Sequence, residues 1–95
     1  MSDFDGVVEM NNKFLILEWK GIGGALTLGQ EIMFKKLTES GDRFTVFVVD
    51  GNSMTMEVFQ YEVFFQGRRE KVTANLMELK ERFRDWSMWV MGDAQ

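Results

Sequence analysis

The stretch Phe14-Leu15-Ile16-Leu17-Glu18-Trp19-Lys20 decides the fold, because it joins a continuous apolar run to a charged end. Another β-rich run, residues 4–10, precedes it, and the pair Asn11-Asn12 separates the two. Asparagine tolerates the positive φ that a two-residue hairpin turn requires, so residues 4–10 and 14–20 are predicted to form an antiparallel hairpin. Its apolar centre is expected to be buried on both faces of a sheet.

The short turn fixes the register of this hairpin. A register in which Met10 pairs with Lys13 places Asp5 directly opposite Glu18, with their Cβ atoms about 5 Å apart. Side chains alternate between the faces of a strand, so Lys20 shares one face with Glu18 and Asp5. Two carboxylates and one amine are therefore expected to meet at one end of the hairpin.

The rest of the chain predicts one domain over residues 1–95, of α/β (α+β) class, with a central mixed β-sheet flanked by helices. The capping pattern after Thr27 predicts a helix that runs to Ser40 and stops at Gly41. The other predicted segments are a strand over residues 43–49 buried on both faces, a turn at Asp50-Gly51, a strand over residues 57–66 with Phe59, Tyr61, Val63 and Phe65 on one face, and a second helix from Thr73 to Met91. The core-facing stripes are predicted to be Gln30, Met33, Phe34 and Leu37 in the first helix, and Leu76, Leu79, Phe83, Trp86 and Val90 in the second.

Composition limits the chemistry. With 45% hydrophobic and 27% charged residues, the chain is expected to form a compact globule without a membrane span, and no basic region followed by an apolar stretch marks it for secretion. It contains no histidine and no cysteine, which excludes a Ser-His-Asp triad, a thiol nucleophile, the usual zinc sites and disulfides. The net charge of −4 argues weakly against a nucleic-acid coat protein.

Asp5 and Glu18 are candidate ligands for Mg²⁺ or Mn²⁺, because a hard divalent cation relieves the repulsion between facing carboxylates. Lys20 is then placed to stabilise developing negative charge. The structural alternative makes Glu18 and Lys20 surface charges, with Asp3 pairing Lys20 across the hairpin. Gln30 likewise has two interpretations, a capping box with Thr27 or a contact to the site.

Two further clusters predict partner surfaces. Arg68, Arg69 and Lys71 are candidate contacts to nucleic-acid phosphates, and the alternative is a solvated turn after Gly67. Met77, Met88 and Trp89 lie off the inward stripe of the last helix and predict an interface in a homodimer or higher homo-oligomer.

The residues from Asp5-Gly6-Val7-Val8 through Glu18-Trp19-Lys20 and Gln30 to the buried strand at residues 46–49 resemble the PD-(D/E)XK nuclease superfamily, specifically its small VRR-NUC and Holliday-junction-resolvase-like branch. The resemblance covers roughly residues 4–50. It implies a restriction-endonuclease-like core in which Asp5 and Glu18 bind Mg²⁺ (or Mn²⁺), Lys20 assists the attacking water and Gln30 supports the site.

The resemblance implies a Mg²⁺-dependent DNA endonuclease of the small stand-alone kind found among bacteriophages. Such an enzyme would act in the cytoplasm of a bacterial or phage-infected cell. Branched or junction DNA is one substrate class that the resemblance suggests. A different class of function is also compatible with the sequence. In that alternative the chain is a non-catalytic binding or assembly module that keeps the fold and engages a protein or nucleic acid.

Overall fold

The computed structural model describes residues 6–21, 25–52 and 54–93. It is a compact α+β fold built from a five-stranded mixed sheet and two helices, which confirms the predicted class. The elements are, in chain order, β1 (Gly6–Met10), β2 (Lys13–Lys20), α1 (Leu28–Glu39), β3 (Phe44–Asn52), β4 (Glu57–Phe65), β5 (Arg68–Thr73) and α2 (Leu76–Asp93).

The strands lie side by side in chain order, from β1 at one edge to β5 at the other. Only β2 and β3 run parallel, because α1 carries the chain back over one face of the sheet, while every other neighbouring pair is antiparallel. No helix in the described ranges is long and apolar enough to cross a membrane.

The first hairpin has the predicted turn and register. Asn11 and Asn12 both adopt positive φ, at 51° and 65°, and Met10 pairs with Lys13. The register continues to Gly6 opposite Leu17. The next pair would be Asp5 with Glu18, but Asp5, like Asp3, lies outside the described residues.

The two helices cover opposite faces of the sheet. Phe34 of α1 packs on one face, against Ile16, Val46, Val48 and Phe64. On the other face, α2 buries Leu79, Trp86 and Val90 against a larger cluster that includes Leu15, Phe47, Val49, Tyr61 and Val63. Residues that alternate along β2 and β3 therefore belong to two separate cores, which is why the centres of both strands, residues 14–17 and 46–49, are apolar without interruption.

The predicted inward stripes are wrong at two positions. Met33 of α1 is 42% exposed, and Thr38 is fully buried in its place. The Thr38 hydroxyl donates to the Phe34 carbonyl at 2.8 Å and accepts from the Gly67 amide at 3.3 Å, so a polar side chain is satisfied in the core. In α2, Phe83 is 38% exposed rather than buried.

The end of β3 differs from the predicted turn at Asp50-Gly51. The strand continues to Asn52, and the pairing with β4 shifts between Asp50 and Gly51, so that Phe59 of β4 has no partner on β3. This β-bulge breaks the alternation of β4 and leaves Phe59 exposed, whereas the sequence pattern placed it on one face with Tyr61 and Val63, which are buried. The chain turns after Asn52, whose side-chain oxygen accepts from the Met54 amide at 3.0 Å.

The basic segment after Gly67 is an edge strand rather than a loop. Gln66 and Gly67 form a two-residue turn with φ of 51° and 76°, and β5 then pairs with β4 from Arg68 onward. Because β5 extends to Thr73, α2 starts at Leu76, three residues later than predicted. Asn75 caps it: its side chain accepts from the Glu78 amide, and the Glu78 carboxylate accepts from the Asn75 amide.

Candidate functional site

The candidate site lies on the α1 face of the sheet, at the end where the parallel strands β2 and β3 both finish. Strand register forms two rows of side chains that share this face. One row is Glu18, Val48, Glu62 and Lys71, and the next is Lys20, Asp50, Gln60 and Thr73. The sheet is apolar at its centre and polar at this end, so the pairing itself collects ionisable groups from four strands.

Glu18 and Lys20 lie together as the register predicts. The Lys20 Nζ atom is 3.5 Å from Glu18 Oε1. Glu18 is only 5% exposed, and its other oxygen, Oε2, is buried without a hydrogen-bond partner among the described residues. A buried carboxylate oxygen without a donor is costly unless a cation or another donor satisfies it.

Gln30 makes both of the contacts that the sequence left open. The Thr27 side chain accepts from the Gln30 amide, and Gln30 Oε1 accepts from the Thr27 amide at 3.0 Å, which completes the capping box. The same Oε1 atom accepts from Lys20 Nζ, also at 3.0 Å. The first turn of α1 therefore holds the ammonium group of Lys20 in place beside Glu18.

A polar cleft of about 100 Å³ opens beside these residues, lined by Lys20, Glu31, Asp50, Gln60, Glu62, Arg69 and Lys71 together with apolar neighbours. Asp50 and Gln60 are functional candidates that the sequence argument missed, because the pair Asp50-Gly51 resembled a turn. A usable signal was present, because Asp50 directly follows the predicted strand over residues 43–49. A helix separates that strand from residues 14–20, and the carboxyl ends of parallel strands meet at one edge of a sheet.

The structure separates the three predicted phosphate contacts. Arg69 and Lys71 line the cleft, whereas Arg68 alternates to the opposite face. Arg69 is engaged by carboxylates, Glu31 Oε1 at 2.8 Å and Glu62 Oε1 at 3.0 Å. The hydrogen bond that Arg69 donates to Glu31, followed by those it donates to Glu62, raises the pKa of Arg69 above its usual value, although burial opposes this. Lys71 is also exposed, and among the described residues it is in no ion pair.

A divalent cation at this edge would depend on carboxylate oxygens. The described ranges hold no group of three acidic, histidine or cysteine side chains that could surround a metal ion. Of the predicted ligand pair, Glu18 is described and Asp5 is not. The unpartnered Oε2 of Glu18 fits a hard cation, because such ions prefer oxygen donors.

The predicted interface residues lie on α2, across the sheet from this cleft. Met77 and Met88 are 70% and 62% exposed. Trp89 is half-buried instead, with its ring edge-on to Phe65 at 5.6 Å and Lys13 Nζ lying 5.1 Å from the ring centre. Much of the Trp89 surface is thus used within the chain.

No protein-family model, curated protein or solved structure matches this chain.

Proposed function

We propose that this protein is a metal-dependent DNA endonuclease with a restriction-endonuclease-like core of the PD-(D/E)XK kind. One observation carries the proposal: Lys20 is held between a buried, incompletely satisfied Glu18 carboxylate and the Gln30 amide of the next helix. The order of a hairpin, a crossover helix and a parallel strand also agrees with the resemblance in residues 4–50.

In the proposed mechanism Asp5 and Glu18 hold Mg²⁺ or Mn²⁺. The ion supplies Lewis acidity toward the phosphate and makes water more acidic. Lys20 stabilises negative charge that develops on the phosphate oxygens in the transition state, and Gln30 keeps its ammonium group aimed. Because a protonated lysine has no lone pair for a cation, this contribution is separate from metal binding.

The proposed substrate is DNA, whose backbone would pass along the cleft. Lys71 is exposed at its rim, and Arg69 is available there if phosphates compete with its carboxylate partners. Arg68 faces the other side of the sheet and is expected to contribute little. A second copy of the chain is the proposed partner in solution.

The decisive experiment compares the wild type with Lys20→Ala in Mg²⁺, on linear, nicked, flapped and four-way-junction DNA. We expect Lys20→Ala to lower the cleavage rate by about 10²–10³-fold while it leaves DNA binding nearly unchanged. Lys20→Arg should fail too, because a planar guanidinium does not reproduce the two contacts of the ammonium group. Lys80→Ala, an exposed position on α2, is the matched control.

Wild-type protein that cleaves none of these DNAs in Mg²⁺ or Mn²⁺ would contradict the proposal. Cleavage that survives in Lys20→Ala would show that other residues do the chemistry.

A non-catalytic binding module is the alternative, and one feature favours it. A cavity of about 260 Å³ lies between α2 and the sheet, with Phe65, Trp86 and Trp89 among its lining residues. Two polar atoms of the lining residues, Trp86 Nε1 and Thr45 Oγ1, are buried without hydrogen-bond partners among the described residues. Metal-dependent cleavage by the wild type would distinguish the nuclease from this alternative.

A further inference from the structure

Asp50 carries the second unsatisfied carboxylate oxygen at this edge of the sheet. Its Oδ2 atom accepts a hydrogen bond from Gln60 Nε2 at 2.8 Å. Its Oδ1 atom is buried and has no hydrogen-bond partner among the described residues. Cross-strand pairing with Gln60 thus satisfies one oxygen and leaves the other available.

No cation of the described residues forms an ion pair with Asp50. Lys20 is its direct neighbour in the parallel register, yet the ammonium group is directed to Glu18 Oε1 and Gln30 Oε1. Across the described ranges, Asp50 is in no ion pair. A partly buried carboxylate without an ion pair is unfavourable, because its charge is partly removed from water without a compensating cation.

The strand register also fixes the separation of Asp50 from Glu18. The two residues are diagonal neighbours on the same face, one strand and two residues apart. A strand spacing of ~4.8 Å and a rise of ~3.3 Å per residue separate their Cβ atoms by about 8 Å. One aspartate and one glutamate can span that gap through an ion bound at ~2.1 Å from each oxygen.

We propose that Asp50 is an oxygen ligand of the divalent cation together with Glu18, and that Gln60 is the residue that positions Asp50. This inference rests on the metal of the proposed function and adds a ligand that the resemblance does not supply. By donating to Oδ2, the Gln60 amide fixes the rotation of the carboxylate and leaves Oδ1 for a further ligand, as outer partners of metal ligands commonly do.

The test is Mn²⁺ binding to the full chain, measured from the loss of the free-ion electron paramagnetic resonance signal. We expect Asp50→Asn and Asp50→Ala to weaken Mn²⁺ binding at least about tenfold, and Gln60→Leu to weaken it by a smaller factor. Glu62→Gln is the matched control: it removes one negative charge from the same cleft, but Glu62 is already paired with Arg69. It should change Mn²⁺ affinity by less than about threefold.

Melting temperatures without metal show whether each variant is folded, and Asp50→Asn is expected to melt no lower than the wild type because it removes an uncompensated charge. Equal Mn²⁺ affinity in Asp50→Asn, Glu62→Gln and the wild type would overturn the inference, as would a wild type that binds no Mn²⁺. DNA cleavage is measured in parallel. Binding that depends on Asp50 without cleavage would sustain this inference and reject the nuclease, whereas cleavage with unaltered Mn²⁺ affinity in Asp50→Asn would do the reverse.

Discussion

At the scale of single residues, burial on the α2 face of the sheet alters the ionisation of Tyr61. On the α2 face, Tyr61 is 5% exposed and lies against the Phe47 ring, with ring centres 5.9 Å apart. Burial raises the pKa of its hydroxyl above the ordinary value of 10.0, and the positive charge of Arg82 only partly opposes this. Folding therefore keeps Tyr61 neutral at pH values where the unfolded chain has begun to ionise.

This shift predicts a loss of stability at alkaline pH. Below the unfolded pKa of about 10, Tyr61 is neutral in both states and its contribution is fully present. As the pH rises toward the folded pKa, the unfolded state loses its proton first, so the free energy of unfolding falls. Tyr61→Phe should remove this part of the alkaline slope, measured by urea unfolding between about pH 9 and pH 11.

Tyr61 is the single tyrosine of the chain, so ultraviolet absorbance of tyrosinate reports its ionisation directly. Ionisation in the folded protein should occur at higher pH than in urea. Coincident titration curves in the two states, or equal alkaline slopes for the wild type and Tyr61→Phe, would contradict the assignment.

Residue spacing predicted part of the site and missed the rest. Alternation along one strand was enough to place Glu18 and Lys20 together, and helix capping was enough to locate Gln30. Asp50 and Gln60 come together only through the pairing of β3 with β4, and that register is not contained in either segment alone. The position of Asp5 relative to Glu18 stays a prediction.

Among the structural elements, the bulge between β3 and β4 is the feature that sequence periodicity could not supply. Alternation in residues 57–66 predicted Phe59 on the same face as Tyr61 and Val63, but one unpaired residue reverses the phase of the strand. Gly51 permits this. A Cβ atom at that position would overlap the Glu57 carbonyl oxygen of the neighbouring strand. The hairpin of β1 and β2 was predictable because its turn residues lie between its strands.

Gly51→Ala is therefore expected to destabilise the protein by about 1–3 kcal/mol, since backbone rather than a flexible side chain must move. Gly92→Ala in α2 is the matched control, because a Cβ there meets nothing within 4 Å. It should leave stability unchanged or raise it by up to about 1 kcal/mol. Urea unfolding of both variants gives the comparison, and equal stability of the two would show that the bulge adapts to a side chain.

At the scale of the whole molecule, the two helices border exposed surfaces of different chemical character. The cleft beside α1 is charged, whereas the outer side of α2 carries Met77 and Met88, both largely exposed. These methionines lie eleven positions apart, about three helical turns, so they occupy one line along the helix. Glu81 and Arg84 lie between them on the same line and are also exposed.

The line of side chains formed by Met77, Glu81, Arg84 and Met88 is complementary to the same line on a second copy of the chain. If two copies of α2 pack antiparallel about a two-fold axis midway between Glu81 and Arg84, Met77 of each copy faces Met88 of the other. The same symmetry sets Glu81 of each copy opposite Arg84 of the other, so two apolar contacts flank two ion pairs. We expect the protein to form this homodimer at tens of micromolar, which sedimentation velocity would detect.

Charge reversal tests the arrangement without altering the inward face of α2. Glu81→Arg and Arg84→Glu each bring like charges together twice in the symmetric dimer, so either should weaken association by at least about tenfold. The double variant restores opposite charges at both contacts and should dimerise nearly as well as the wild type. Met54→Asp, at a 94% exposed position in the turn before β4, is the control and should not change the sedimentation coefficient. A monomeric wild type, or single variants that associate as strongly as the wild type, would show that this surface of α2 does not pair with itself.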